Sequence, residues 1–120
     1  MSSITQDLIV IAHKRFIEEL PALEKLKLVI RLELRGRGDV QVFRIETPGP
    51  TVTKEEPEDS RIDVSVPRAD FNDLADASLE HWHTAYEHGV LRIGGDPAVI
   101  RLLGGVVAKH EARTKLRKVR

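Results

Sequence analysis

The chain has 120 residues, of which 41% are apolar and 32% charged, a balance typical of one folded domain rather than of a disordered segment. It contains no cysteine, which excludes disulfides, thiolate zinc sites and a cysteine nucleophile. The formal net charge is zero, but residues 109–120 are strongly basic and residues 1–108 are mildly acidic, so strong nucleic-acid binding by the body is not expected.

The N-terminal quarter predicts a helix and then a strand. Apolar residues recur every four positions over residues 4–20, behind a capping pattern of Ser3 and Gln6, and Pro21 discourages continuation of the helix. Apolar and polar residues then alternate over residues 26–34. This alternation is typical of a strand with one buried face and one largely solvated face.

Three further strands are predicted over residues 40–66. The turn Gly36–Asp39 leads into a strand over Val40–Thr47, so that the two neighbouring strands form a hairpin. Residues 51–53 predict a short third strand, and residues 62–66 alternate again as a fourth. The acidic segment 55–59 between them is interpreted as a solvated loop.

The second half mixes helices and strands. Pro67 opens a short helical segment, residues 79–86 show helical spacing of apolar side chains, and residues 90–93 predict a last strand. Asp96 and Pro97 are typical of the N-cap and first turn of a final helix. This order predicts an α+β domain in which one mainly antiparallel sheet carries a helical layer.

The final helix is predicted to carry more apolar surface than one sheet can cover. On a helical wheel its apolar side chains span about twice the roughly 100° that a surface helix needs to pack on a core. We therefore expect a ligand or a partner to cover the part of this apolar surface that the sheet leaves exposed. These side chains are Val99, Ile100, Leu102, Leu103, Val106 and Val107.

Two glycines inside this helix, Gly104 and Gly105, have two interpretations. Each costs about 1 kcal/mol relative to alanine within a helix, and glycine is useful where a ligand or another backbone approaches closely. Alternatively, the helix ends at Gly104 and restarts, with the wide apolar arc simply buried. The sequence leaves both open.

The only tryptophan and the only tyrosine, Trp82 and Tyr86, lie one helical turn apart. Both combine a large apolar area with one polar tip, which suits the wall of a site for an amphipathic ligand. Ordinary core packing is the alternative for both side chains.

The sequence carries no recognisable catalytic, metal or cofactor site. His81 and His83 point to opposite sides of a helix, and no serine lies in a strand–turn–helix elbow. His83, Glu87 and Asp96 are the one combination that could in principle perform acid–base chemistry, but the sequence does not fix their geometry. We therefore predict a protein that is not an enzyme.

The basic residues 109–120 are predicted to be a C-terminal tail or a helix extension beyond a domain over residues 1–108. They could anchor the protein to a membrane surface or a nucleic acid, or form a solvated helix end. The solvated end is favoured because Leu116 and Val119 give the tail little apolar anchorage. Without a signal peptide or a membrane span, a cytoplasmic location is expected.

Three segments of the second half form an ordered set of motifs: a strand over Arg61–Val66, a D-F-x-x-L helix within Ala69–Leu74, and a G-x-L-x-I-x-G-D strand end over Gly89–Asp96. With the apolar helix that follows, they resemble the sterol-carrier-protein family, the lipid-transfer domains of the type-two sterol carrier. The likeness in element order covers nearly the whole chain.

This resemblance implies a five-stranded, mainly antiparallel sheet with helices on one face, and a hydrophobic tunnel between them for fatty acyl chains, sterols or similar lipids. It implies that the tunnel is lined by Phe71, Leu74, Trp82, Tyr86, Leu102, Leu103 and Val106; the apolar arc adds Val99 and Val107 to the predicted ligand-binding residues. The predicted function is a small binding protein for an apolar ligand. The alternative is a protein-interaction or homodimerisation module with an exposed apolar cleft.

Overall fold

The computed structural model describes residues 4–118, and side chains up to Arg113; Ser3 of the predicted capping pattern and residues 119–120 of the basic tail lie outside this range. The helices are α1 (Ile4–Glu19), a 3-10 helix (Pro21–Lys25), α2 (Arg68–Leu74), α3 (Leu79–Glu87) and α4 (Pro97–Lys118). The strands are β1 (Leu28–Arg35), β2 (Val40–Thr47), β3 (Thr51–Thr53), β4 (Ile62–Pro67) and β5 (Arg92–Gly95).

The five strands form one sheet in the order β3-β2-β1-β4-β5. β1 pairs in parallel with β4, and the pairs β1–β2, β2–β3 and β4–β5 are antiparallel. The predicted α+β class with a mainly antiparallel, five-stranded sheet is therefore confirmed.

The predicted hairpin forms with full register, from Leu28 opposite Thr47 to Arg35 opposite Val40. In its turn the N–H of Gly36 donates to the carbonyl of Asp39 at 2.8 Å. Gly38 has a φ of 79°, which an L side chain rarely adopts, so the glycine here permits the tight turn.

One face of the sheet forms the core together with α1, α2 and α3. Alternate residues of β1, β2 and β4 are buried on this face, as the period-two pattern predicts. Helices and loops supply the other buried side chains. The core cluster consists of Ile9, Ala12, Leu32, Leu34, Phe43, Ile45, Val66, Phe71, Leu74, Ala75, Trp82 and Leu91.

The opposite face of the sheet carries a network of ion pairs. The Nε–H of Arg31 donates a bifurcated hydrogen bond to the two carboxylate oxygens of Glu56, at 3.0 and 2.9 Å, and Arg44 contacts Asp59 at 2.9 Å. The hydrogen bond to Asp59 is the main cause that raises the pKa of Arg44 above its usual value. The acidic segment 55–59, predicted as a solvated loop, is exposed but is tied by these contacts to the face of the sheet that carries no core cluster.

Two strand boundaries differ from the prediction. β1 begins at Leu28 rather than at residue 26, because the N–H of Leu26 donates to Leu23 and closes the 3-10 helix. β5 begins at Arg92 rather than at residue 90, because the N–H groups of both Val90 and Leu91 donate to the carbonyl of Ala85 and prolong the turn after α3.

Candidate ligand-binding trough

The corner between β5 and α4 is held by Asp96 and Arg61. One oxygen of Asp96 accepts a hydrogen bond from the backbone N–H of Ala98 at 2.9 Å, which confirms Asp96 as the N-cap. Its other oxygen accepts from Arg61 at 2.6 Å, and this hydrogen bond is the main cause that lowers the pKa of Asp96. Gly95, with a φ of 114°, lies so close to Arg61 that an added Cβ would stand 2.5 Å from the Arg61 carbonyl oxygen.

From this corner, α4 continues as one helix through Gly104 and Gly105. The predicted alternative of a break at Gly104 is therefore wrong. A Cβ on either glycine would have no atom within 4 Å apart from the helix's own neighbouring backbone.

A second contact ties α4 to α3. Nδ1 of His83 lies 2.5 Å from a carboxylate oxygen of Glu111, and Nε2 of the same ring lies 3.4 Å from Glu87. The helix thus passes from the β5 edge of the sheet to the exposed side of α3. The His83–Glu87 pair lies within a surface contact between helices.

Coverage of the core face of the sheet falls towards β5. In one row across the strands, Phe43 is 1% exposed, Leu32 is 4% exposed, Val64 is partly buried and Ile93 is 40% exposed. The three helices α1, α2 and α3 therefore cover the middle of the sheet and leave apolar side chains of its β5 edge open.

The helices that flank this edge also present apolar side chains that the chain does not bury. Tyr86 of α3 is 51% exposed and Leu102 of α4 is 50% exposed. Partly buried side chains of α4 are Val99, Ile100, Leu103, Val106 and Val107. No residue of the predicted apolar arc reaches full burial. We group Val64, Ile93, Tyr86 and these α4 side chains as the candidate site and call them the α4 trough.

The nine predicted ligand-binding residues fall into two groups. Phe71, Leu74 and Trp82 are buried in the core, where the Trp82 ring packs edge-on against Phe16 and Phe71 with centroids 4.9 and 6.2 Å apart. The remaining six are partly or well exposed at the α4 trough or on its rim: Tyr86, Val99, Leu102, Leu103, Val106 and Val107.

The prediction did not single out Val64 and Ile93, although both lie in predicted strands. Their exposure depends on β5 being an edge strand and on where α4 leaves the sheet. The isoleucine of the G-x-L-x-I-x-G-D motif was the one signal that could have indicated Ile93.

An open depression of about 480 Å³ lies at a different place, where β1 begins and the chain turns from β2 to β3. Its lining is mixed in polarity and includes Lys27, Glu46 and Thr51. None of the nine predicted residues lines it, so it is separate from the α4 trough.

Among the described residues, no group of three or more His, Asp or Glu side chains could hold a metal ion. Within the same part of the chain, no helix is both long and apolar enough to span a bilayer. The chemistry that the α4 trough offers is therefore apolar contact, with the Tyr86 hydroxyl as a polar group nearby.

Most of the fold is similar to solved structures of sterol-carrier-protein-2-like proteins. A palmitated SCP2L2 from Aedes aegypti is 17% identical, with a TM-score of 0.59 over 88% of this chain and 95% of that chain. The sterol carrier protein domain 2 of Helicoverpa armigera is 15% identical, with a TM-score of 0.63 over 89% and 87%. The ubiquinone synthesis protein UbiJ-SCP2 is 16% identical, with a TM-score of 0.51 over 92% and 97%.

This chain therefore has the sterol-carrier-protein fold that its motifs predicted. At these identities the likeness concerns the fold. No protein-family model matches the chain, and no curated protein matches it either.

Proposed function

We propose that this protein binds an apolar ligand, a fatty acyl chain, a sterol or another lipid, in the α4 trough, and that it does so without catalysing a reaction. The observation that carries the proposal is the incomplete burial of the α4 arc beside Ile93 and Tyr86. Covering these side chains with a ligand would remove apolar surface from water, at about 25 cal/mol per Å², less the cost of association.

The fold neighbours support the ligand class. One of them is a palmitated protein and another is a ubiquinone synthesis protein. Both names point to long apolar chains, which would suit a space lined by valine, leucine and isoleucine. Palmitate is therefore the first probe to use.

Native mass spectrometry of the protein with palmitate tests the proposal directly. The variant Leu103→Gln is expected to weaken palmitate binding about tenfold, because a leucine contact with the ligand contributes about 1.5 kcal/mol. Val10→Gln is the matched control, since Val10 is exposed on the outer side of α1. No palmitate adduct with the wild-type protein, or equal loss in both variants, would contradict the proposal.

A fluorescence titration adds a local readout. Trp82 is buried in the core and reports on the α4 trough only indirectly. The variant Tyr86→Trp places an indole at the exposed position beside the trough. Its emission is expected to shift to the blue on addition of palmitate, whereas Trp82 alone is expected to respond weakly.

A second candidate function is that of a protein-interaction or homodimerisation module. It is favoured by the openness of the site, because half of the Leu102 surface is exposed on the rim rather than enclosed. Light scattering over a range of concentrations tests it. A mass that falls on dilution, and a monomer at all concentrations for Leu103→Glu, would support this function over ligand binding.

A further inference from the structure

Three side chains of α4 form an exposed stripe that combines apolar and cationic character. Lys109 and Arg113 follow Leu102 by seven and eleven residues, which places both within about 20° of it around the helix. All three are exposed. The stripe extends about 16 Å along the helix axis, at about 1.5 Å per residue.

The two cations of this stripe have no ion-pair partner among the described residues. The one acidic residue of α4, Glu111, lies about 180° around the helix from Leu102 and contacts His83 instead. Nearby Asp96 is paired with Arg61. Asp96 and Glu111 thus contact residues outside the stripe, and neither pairs with Lys109 or Arg113.

The distribution of charge along the sequence also concentrates positive charge in and after α4. From residue 97 to the C-terminus the sequence has seven basic residues and one acidic residue, although the whole chain has equal numbers of each sign. An anionic partner is therefore attracted to α4 and repelled by the rest of the molecule.

We propose that the stripe Leu102, Lys109 and Arg113 docks on the surface of an anionic lipid bilayer. An exposed leucine flanked by cations is the arrangement with which a surface helix meets such a membrane, because the apolar group enters the headgroup boundary and the cations meet anionic headgroups. The sequence favoured a solvated helix end because its tail lacks apolar anchorage. The structure supplies that anchorage about two turns before residue 109, at Leu102.

Docking at this place is compatible with the proposed function without depending on it. Leu102 lies on the rim of the α4 trough, whereas the two cations lie outside its lining. A protein docked through the stripe would hold the trough next to the bilayer from which an apolar ligand could enter.

Vesicle co-sedimentation tests the proposal with the full chain. We expect binding to vesicles of phosphatidylcholine mixed with phosphatidylserine, little binding to phosphatidylcholine alone, and weaker binding as salt rises. The double variant Lys109→Gln with Arg113→Gln is expected to lower the partition coefficient about 25-fold, at about fivefold for each cation near the surface. Leu102→Ser is expected to weaken binding as well.

The matched control is the double variant Lys14→Gln with Arg37→Gln. It removes the same net charge from exposed positions on α1 and on the β1–β2 turn. Its partition coefficient is expected to stay within about twofold of the wild type, since charges away from the docked surface contribute little. Equal losses in the two double variants would overturn the proposal, because the effect would then be one of overall charge.

Three further results would contradict membrane docking. Failure of the wild-type protein to bind the mixed vesicles, tighter binding of a DNA duplex at the same salt concentration, or a dimer that hides the stripe would each overturn membrane docking. Palmitate binding by Lys109→Gln with Arg113→Gln is measured in parallel and is expected to be unchanged. A chain that binds palmitate but not vesicles therefore refutes the docking proposal alone.

Discussion

Replacing Gly104 and Gly105 together by alanine is expected to stabilise α4. Each position lies within a continuous helix, and a Cβ there meets open space, so the change adds helix propensity without a clash. At about 1 kcal/mol for each glycine, local opening of the helix becomes about 2 kcal/mol more costly. Backbone amides of α4 that exchange through this opening are then expected to exchange about 30-fold more slowly, as measured by hydrogen–deuterium exchange mass spectrometry.

The matched control is Gly94→Ala in β5. A Cβ on Gly94 also meets open space, and this glycine does not have a positive φ. The control therefore changes a glycine near α4 without changing helix propensity, and exchange in α4 is expected to remain that of the wild type.

Palmitate binding by Gly105→Ala alone tests whether a ligand needs a glycine on this side of the helix. Gly105 lies about 160° around the helix from Leu103, whereas Gly104 lies about 40° from Ile100 of the trough, so the alanine at position 105 is expected to leave palmitate in the α4 trough undisturbed. Loss of palmitate binding by Gly105→Ala would refute the view that this side of the helix is free, and amide exchange in the double variant that is no slower than in the wild type would refute the expected gain in helix stability.

Three further predictions concern stability. Gly95→Ala is expected to destabilise the fold by about 1–3 kcal/mol from backbone strain, and the clash of the new Cβ with Arg61 adds to this loss. Urea denaturation measures the change, and stability equal to the wild type would contradict the close approach between Gly95 and Arg61. Phe43→Ala is expected to lower the free energy of unfolding by about 3–5 kcal/mol because the ring is buried, whereas Val40→Ala on the same strand is expected to change it by less than about 0.5 kcal/mol. Similar losses in both variants would contradict the assignment of Phe43 to the core and of Val40 to the surface. Burial lowers the pKa of His13 below its ordinary value of 6.5, so the folded state disfavours the protonated ring, and the stability that neutral His13 confers is complete above about pH 6.5 and declines as the pH falls below it. The decline is expected to be shallower in His13→Gln than in the wild type, and parallel urea midpoints from pH 7 to pH 5 would show that His13 is not responsible.

Much of the fold could be predicted because each local signal has a local cause. The strands over Val40–Thr47 and Thr51–Thr53 are confirmed at both ends, since a glycine turn and a Pro-Gly-Pro segment delimit them. The errors arose where a hydrogen bond from the preceding turn replaced a strand bond. Leu26 and Leu91 have strand-like side chains, but their N–H groups are used by the 3-10 helix and by the turn after α3.

The site was harder to predict because the exposure of its side chains depends on residues that are distant in sequence. The strand pairing in the structure places Val64 and Ile93 on one face, but the sequence pattern gives neither this register nor the point at which the helices stop short of Ile93. In the same way, the helical wheel of α4 shows how much apolar surface the helix carries, but not which part of it lies against the body. The burial of Trp82 depends in part on Phe16 of α1, whose ring packs against it, and that contact joins residues far apart in sequence.

The arrangement of α4 explains why an apolar site and a stable fold can coexist here. The core cluster contains no residue of α4, so the packing of the core does not require full coverage of the apolar arc. Besides the partial burial of this arc, polar contacts near each end of the trough, at Asp96 and at Glu111, hold the helix. Exposed ion pairs of this kind contribute little stability, typically less than about 1 kcal/mol. A ligand that covers Leu103 and Ile93 is therefore expected to add more to the stability of α4 than its own polar contacts do, and palmitate should protect the amides of α4 from exchange more strongly than those of β1 or β2.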